Sequence, residues 1–182
     1  MARELELKFR LKDEQLFFKR LEELKIVLSE SILQKDIIFL KQGTEFDDLF
    51  KGEPVIRIRE EQGKSKATVK KYVSGIMDRE EIEFNLTEPE AFRRFLILLD
   101  FIPVIIVEKT RRKGIYMEAT VTLDRVKGLG SFIEVEIIST DEIAETDKES
   151  LKNIVKRLGL DMMDLVKTPY DQMLYEKGEK DD

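Results

Sequence analysis

Leu5, Leu7, Phe9 and Leu11 alternate with Glu4, Glu6, Lys8 and Arg10. This period of two predicts a strand with one apolar face and one charged face. Leu16, Phe17, Leu21 and Leu24 then fall at helical spacing behind Asp13, a good N-cap. A second strand is predicted over Ile32 to Lys41, followed by a loop from Gln42 to Glu53. Val55 to Glu61 turns at Gln62-Gly63 into Lys66 to Tyr72, and a turn at Gly75 leads into Met77 to Asn85. Thr87, with Glu90 three residues on, predicts a capping box and a helix that carries Phe92, Phe95, Leu96 and Leu99. Val104 to Arg112 is expected to turn at Gly114 into Tyr116 to Arg125, and Gly128 and Gly130 lead to Ser131 to Ile138. A helix over about Lys148 to Leu158 should stop at Gly159, with a short last helix after Pro169.

About eight strands with interspersed helices and no dividing linker make one domain over 1–182, of the α+β class. The short turns imply antiparallel pairing. In strand after strand the polar face is ionic: Arg57 and Arg59; Lys66, Thr68 and Lys70; Arg79, Glu81 and Glu83; Lys109 and Arg111; Glu118, Thr120, Thr122 and Asp124; Glu134 and Glu136. Two architectures give this pattern. In one, the charged faces are simply wet and the apolar faces meet helices. In the other, the charged faces line a water-filled lumen and the helices pack outside. Alternation alone does not separate them. The scarcity of neutral polar residues and the partial sorting of basic and acidic strands favour the lumen. Guanidinium groups grip phosphate oxygens in pairs, and carboxylates hold hard cations.

Composition narrows the chemistry. There is no cysteine and no histidine, which excludes disulfides, thiol nucleophiles, Cys-based zinc and the usual neutral-pH base. A metal must then be a hard ion with oxygen ligands. The formal net charge of -6 argues against broad nucleic-acid binding. The start of the chain has no secretory pattern, and the longest apolar run, Phe101 to Val107, is too short for a bilayer and holds Pro103. The expectation is a cytoplasmic protein with no membrane partner.

These residues resemble the CYTH family, the triphosphate tunnel metalloenzymes, which includes class IV adenylate cyclases, thiamine triphosphatases and inorganic tripolyphosphatases. The resemblance rests on Glu4-x-Glu6-x-Lys8, Arg57-x-Arg59, Thr68-x-Lys70, Arg79-x-Glu81-x-Glu83 and Lys109-x-Arg111. Asp124, Gly128-Leu129-Gly130, Phe132 and Glu134-Val135-Glu136 look like the closing motif, and Tyr170 and Leu174 the C-terminal helix. It covers nearly the whole chain in order. It implies a closed antiparallel tunnel with helices outside, in which Mg²⁺ or Mn²⁺ is held by Glu4, Glu6, Glu134 and Glu136 with Asp124 nearby. It implies that Lys8, Arg57, Arg59, Lys70, Lys109 and Arg111 hold a nucleoside or inorganic triphosphate, with Lys8, Glu6 and Arg111 at the reacting centre. Arg10, Arg79, Glu81, Glu83 and Glu118 are expected either in tunnel-wall ion pairs or in direct roles. Asp36 matches a family Asp. The activity implied is class IV adenylate cyclase-like, with triphosphate hydrolysis as the alternative and a non-catalytic polyphosphate-binding module third. Cyclase-type relatives pair as dimers, so a homodimer is expected.

Overall fold

The computed structural model describes residues 3–72, 79–139 and 145–178, with backbone alone at residues 3, 4, 47, 50, 51, 72, 79 and 139. Eight strands and four α-helices lie among the described residues: β1 Arg3–Leu11, α1 Glu14–Glu23, β2 Ile32–Lys41, β3 Val55–Glu61, β4 Lys64–Tyr72, β5 Arg79–Leu86, α2 Pro89–Leu98, β6 Phe101–Tyr116, β7 Ala119–Val126, β8 Gly130–Ser139, α3 Glu145–Arg157 and α4 Tyr170–Glu176. The strands pair antiparallel, as their short turns require. The class is α+β, as expected. No helix among the described residues is long and apolar enough to cross a membrane.

The chain forms two compact units: Met1–Ile32 with Thr110–Thr168, and Leu33–Lys109 with Pro169–Asp182. The hydrogen-bonded order is β1-β8-β7-β6 in the first and β6-β2-β3-β4-β5 in the second, with β6 contributing a segment to each.

In the first unit, Phe9 of β1, Ala119, Val121 and Leu123 of β7 and Ile133, Val135 and Ile137 of β8 pack against Phe17 and Leu21 of α1 and Leu151, Ile154, Val155 and Leu158 of α3. The apolar strand face thus meets the helices, and the charged set, one residue out of phase along each strand, lies on the opposite face. Asp13 caps α1 by accepting from the Leu16 amide at 2.9 Å. Gly159 (φ 75°) follows α3, and the Leu160 amide bonds back to the Val155 carbonyl, the left-handed stop the sequence predicts.

The second unit buries Ile37, Phe39, Ile56, Ile58 and Leu96, with Val69, Leu86, Phe92, Phe101 and Ile106 packed on them. Strand β2 departs from alternation: Ile37, Ile38, Phe39 and Leu40 are all buried. An apolar run of this kind is what a strand covered on both faces requires.

Four local expectations are corrected. Gly114 is not a turn. It lies inside the 16-residue β6, and the turn falls at Met117-Glu118. Its missing side chain is needed because a Cβ there would come 2.8 Å from the Val27 carbonyl oxygen. The predicted Gln42–Glu53 loop contains a 3₁₀ helix, Phe46–Lys51, entered through a reciprocal Glu45/Asp48 capping box and left at Gly52 (φ 94°). Helix α2 is capped at Glu88 rather than Thr87, because Pro89 has the fixed φ and missing N–H that suit a first helical turn. Helix α3 starts at Glu145 within the described residues, ahead of Lys148. The turn at Gly75 and the start of its strand at Met77 lie outside the described residues.

Candidate active site

The first unit gathers an acidic set. Cross-strand register places Glu6 opposite Glu136 and Lys8 opposite Glu134, and on the other side of β8 Thr122 faces Glu134. Arg111 of β6 is the hub. Its Nε donates to Asp124 Oδ1 at 2.7 Å, and its Nη2 donates to Asp124 Oδ2 and, at 2.6 Å, to Glu134 Oε2. Asp124 is 0% exposed, so this carboxylate, expected near the metal, holds the guanidinium in a planar fork. Lys8 donates to the Thr168 carbonyl at 2.6 Å, and the Val166 amide bonds to the Lys8 carbonyl at 2.7 Å. The segment after α3 therefore fixes both ends of Lys8.

Carboxylates outnumber cations in this set. The Glu6 carboxyl is pushed up from an ordinary 4.5 to about 7, first by burial of its surroundings and then by Glu134, with Glu136 adding to it and Lys8 and Arg111 opposing. Its tip keeps contact with water. Burial and the neighbouring carboxylates both disfavour the charged form of Glu6.

The second unit gathers a basic set. Asp36 lies opposite Arg59 in the β2–β3 register and accepts two parallel hydrogen bonds from it, Nε to Oδ1 and Nη2 to Oδ2, both 2.7 Å. Burial pushes the Asp36 carboxyl up, but Arg59, Lys109 and Arg57 more than offset this and hold it below its ordinary 3.8. Arg57 donates to Thr68 Oγ1 at 3.1 Å and lies 4.0 Å from Glu83. Its guanidinium is held below its ordinary value by burial and then by neighbouring Arg59, and its Nε is buried without a hydrogen-bond acceptor. Lys70 pairs with Glu81 at 3.1 Å, and Lys66 with Glu83 at 2.8 Å. Lys109 is 5% exposed, with its ammonium 5.1 Å from the Tyr170 ring centroid. Here the cations Arg57, Arg59 and Lys109 cluster around Asp36.

The wall candidates sort differently. Arg10 donates to the Leu129 carbonyl at 2.8 Å and stacks 4.7 Å over Phe132. Glu81 and Glu83 pair with lysines, as above. Glu118 sits exposed in the β6–β7 turn and accepts from Ser150 of α3. The side chains of Glu4 and Arg79 lie outside the described residues. Sequence reasoning assigned no role to Thr68 or Gln34. Thr68 is wholly buried and shared by Arg57 and Glu83 at 3.4 Å. Gln34 donates to Glu61. For Gln34 the signal was its position two residues from Asp36 on the same strand face, and for Thr68 its place in the Thr68-x-Lys70 motif.

Among the described residues no group of three or more carboxylates is gathered as a ready metal cage. Arg111 takes oxygens of Asp124 and Glu134 that a cation would otherwise use. The donor chemistry nevertheless fits a hard divalent ion: the donors are all oxygen, and Glu134 and Glu136 mutually repel Glu6.

Residues 2–170 match the family described as the CYTH domain. A Methanocaldococcus jannaschii protein provisionally named an adenylate cyclase is 29% identical over 171 residues, which is 92% of this chain and 95% of that one. A solved Pyrococcus horikoshii OT3 structure is 28% identical with TM-score 0.76, covering 96% of this chain and 99% of its own. A Hippeastrum protein, titled as an adenylyl cyclase candidate with dominant triphosphatase activity, shares the fold at 16% identity and TM-score 0.65, covering 98% and 97%.

Proposed function

The chain belongs to the CYTH domain family, and on that premise we propose that it is a metal-dependent enzyme acting on triphosphates, with ATP converted to cyclic AMP and pyrophosphate as the first reading. The closed tunnel, the divalent ion and the individual residue roles are parts of this proposal. The observation that carries it is the opposite charge of the two residue sets: cations clustered at Arg57, Arg59 and Lys109 around Asp36, and carboxylates clustered at Glu6, Glu134 and Glu136.

Arg57, Arg59, Lys70 and Lys109 hold phosphate oxygens, with Asp36 aiming the Arg59 fork. Arg111, braced by Asp124, faces charge that develops on phosphorus oxygens. Lys8 contributes a further compact positive charge beside it. Glu6, Glu134 and Glu136 with Glu4 would hold Mg²⁺ or Mn²⁺, which when bound neutralises phosphate charge and lowers the pKa of the attacking hydroxyl or water. In the cyclase reading the ribose 3′-hydroxyl loses its proton, attacks the α-phosphorus and expels pyrophosphate. In the triphosphatase reading water attacks the terminal phosphorus and phosphate is released. A non-catalytic polyphosphate-binding module ranks last because the acidic set is intact.

A product assay decides among them, with ATP, thiamine triphosphate and tripolyphosphate offered separately with Mg²⁺ and with Mn²⁺. Cyclic AMP and pyrophosphate from ATP establish the first reading, phosphate release without cyclic AMP the second. No turnover of any of the three overturns the enzymatic proposal.

A further inference from the structure

Lys109 is buried on β6, and the group over its ammonium is an aromatic ring carried by the C-terminal helix. The segment Lys167-Thr168-Pro169-Tyr170 enters that helix through Pro169, whose extended backbone (φ -61°, ψ 156°) starts α4 and leaves Tyr170 at its first position. The Met173 amide closes the turn on the Pro169 carbonyl at 3.0 Å. The far end of α4 is tied down independently. Tyr175 donates from its hydroxyl to Glu45 Oε2 at 2.6 Å, its ring lies 4.8 Å from that of Phe46, and Leu174 is buried. The Tyr170 ring is therefore carried by a helix held at both ends, facing the buried Lys109 ammonium.

We propose that Tyr170 is a positioning residue that holds the Lys109 ammonium for phosphate. Lysine reaches its charge through four flexible methylenes and gains little orientation of its own. A ring face attracts the cation without adding a carboxylate that would compete with phosphate oxygens. The inference rests on the phosphate-binding reading of Lys109 given above.

The test compares Tyr170→Phe, which keeps the ring, with Tyr170→Leu, which keeps apolar volume and loses it. Both are assayed with ATP and with tripolyphosphate, and melting of each variant is recorded. Tyr170→Phe is expected to retain the wild-type KM. Tyr170→Leu is expected to raise KM roughly tenfold for both substrates at nearly unchanged kcat, since one lost cation–π contact acts on binding. A double-mutant cycle with Lys109→Met guards against a packing effect: in that background Tyr170→Leu should no longer move KM. Equal KM for the Phe and Leu variants, or a Leu effect that persists without Lys109, overturns the inference while leaving the enzyme reading standing. If the wild type neither binds nor turns over any triphosphate, as judged by titration calorimetry with tripolyphosphate beside the assay, both fall together.

Discussion

The Arg111 site of the first unit and the Arg59 site of the second are built from the same parts and end with opposite charge demand. Each has an arginine on one strand gripped at two nitrogens by a buried aspartate: Arg111 by Asp124, Arg59 by Asp36. Around Arg111 the additional residues are carboxylates, and the Glu6 carboxyl rises to about 7. Around Arg59 they are cations, and the Asp36 carboxyl falls. A single Arg–Asp fork is thus neutral scaffolding in both places. What differs between the two is the sign of the side chains sharing the face, which lie two residues along the same strand, about 7 Å away, or on neighbouring strands.

Neutralising one acidic residue should break the comparison most severely. Glu136→Gln keeps volume and hydrogen-bonding capacity but removes charge from the acidic set, and is expected to lower kcat by roughly 10²–10³-fold, the cost typical of losing a preorganised electrostatic group. Melting should stay close to wild type, because Glu136 is half-buried rather than part of the apolar core. Metal-dependent product release with full activity in the variant would remove Glu136 from the metal site.

The two aspartates offer a matched pair. Asp36→Asn leaves the half-buried Arg59 without its counter-charge, and breaking a buried pair costs up to about 3–5 kcal/mol. Asp124→Asn leaves Arg111 a second carboxylate, Glu134 at 2.6 Å, so its loss of stability should be smaller. Denaturant midpoints of the two variants, measured at one pH without metal, give the comparison directly. A larger loss at Asp124 would contradict the charge assignment.

The smallest effect is on pH, and its sign differs between the units. Glu6 titrates near 7 folded and near 4.5 unfolded. Between those values the folded chain binds more protons, so this contribution to stability is fully present below about 4.5 and is lost as pH rises through 7. Asp36 is shifted down from 3.8, so its contribution is present above that value and is lost as pH falls below it. Metal-free protein should therefore melt lower at pH 8 than at pH 5.5 by about 2 °C, a modest shift because water screens the exposed Glu6 tip. Mg²⁺ should remove the difference and release protons on binding near neutrality. A melting profile that is flat across this range in metal-free protein would remove the crowding argument at Glu6.

Period-two alternation in Leu5–Leu11, in Ile56–Ile58 and in Ile133–Ile137 was enough to mark strands and assign a charged face, because a strand's side chains alternate whatever it pairs with. Asp13 and Gly159 marked helix ends for equally local reasons, one side chain accepting an orphan amide and one residue tolerating positive φ. Gly114 was misread as a turn because its requirement is not local: only the approach of Val27, far along the chain, demands a missing side chain inside β6. The partners of the charged residues were equally hidden. Nothing in the sequence couples Asp36 to Arg59 rather than Lys66, or Tyr170 to Lys109, until strand register and the docking of α4 bring them together. The sequence by itself determined which residues stand on the charged faces. Only the tertiary structure decided which of those charges offset one another, because that depends on distances across strands that the order of residues along one strand does not contain.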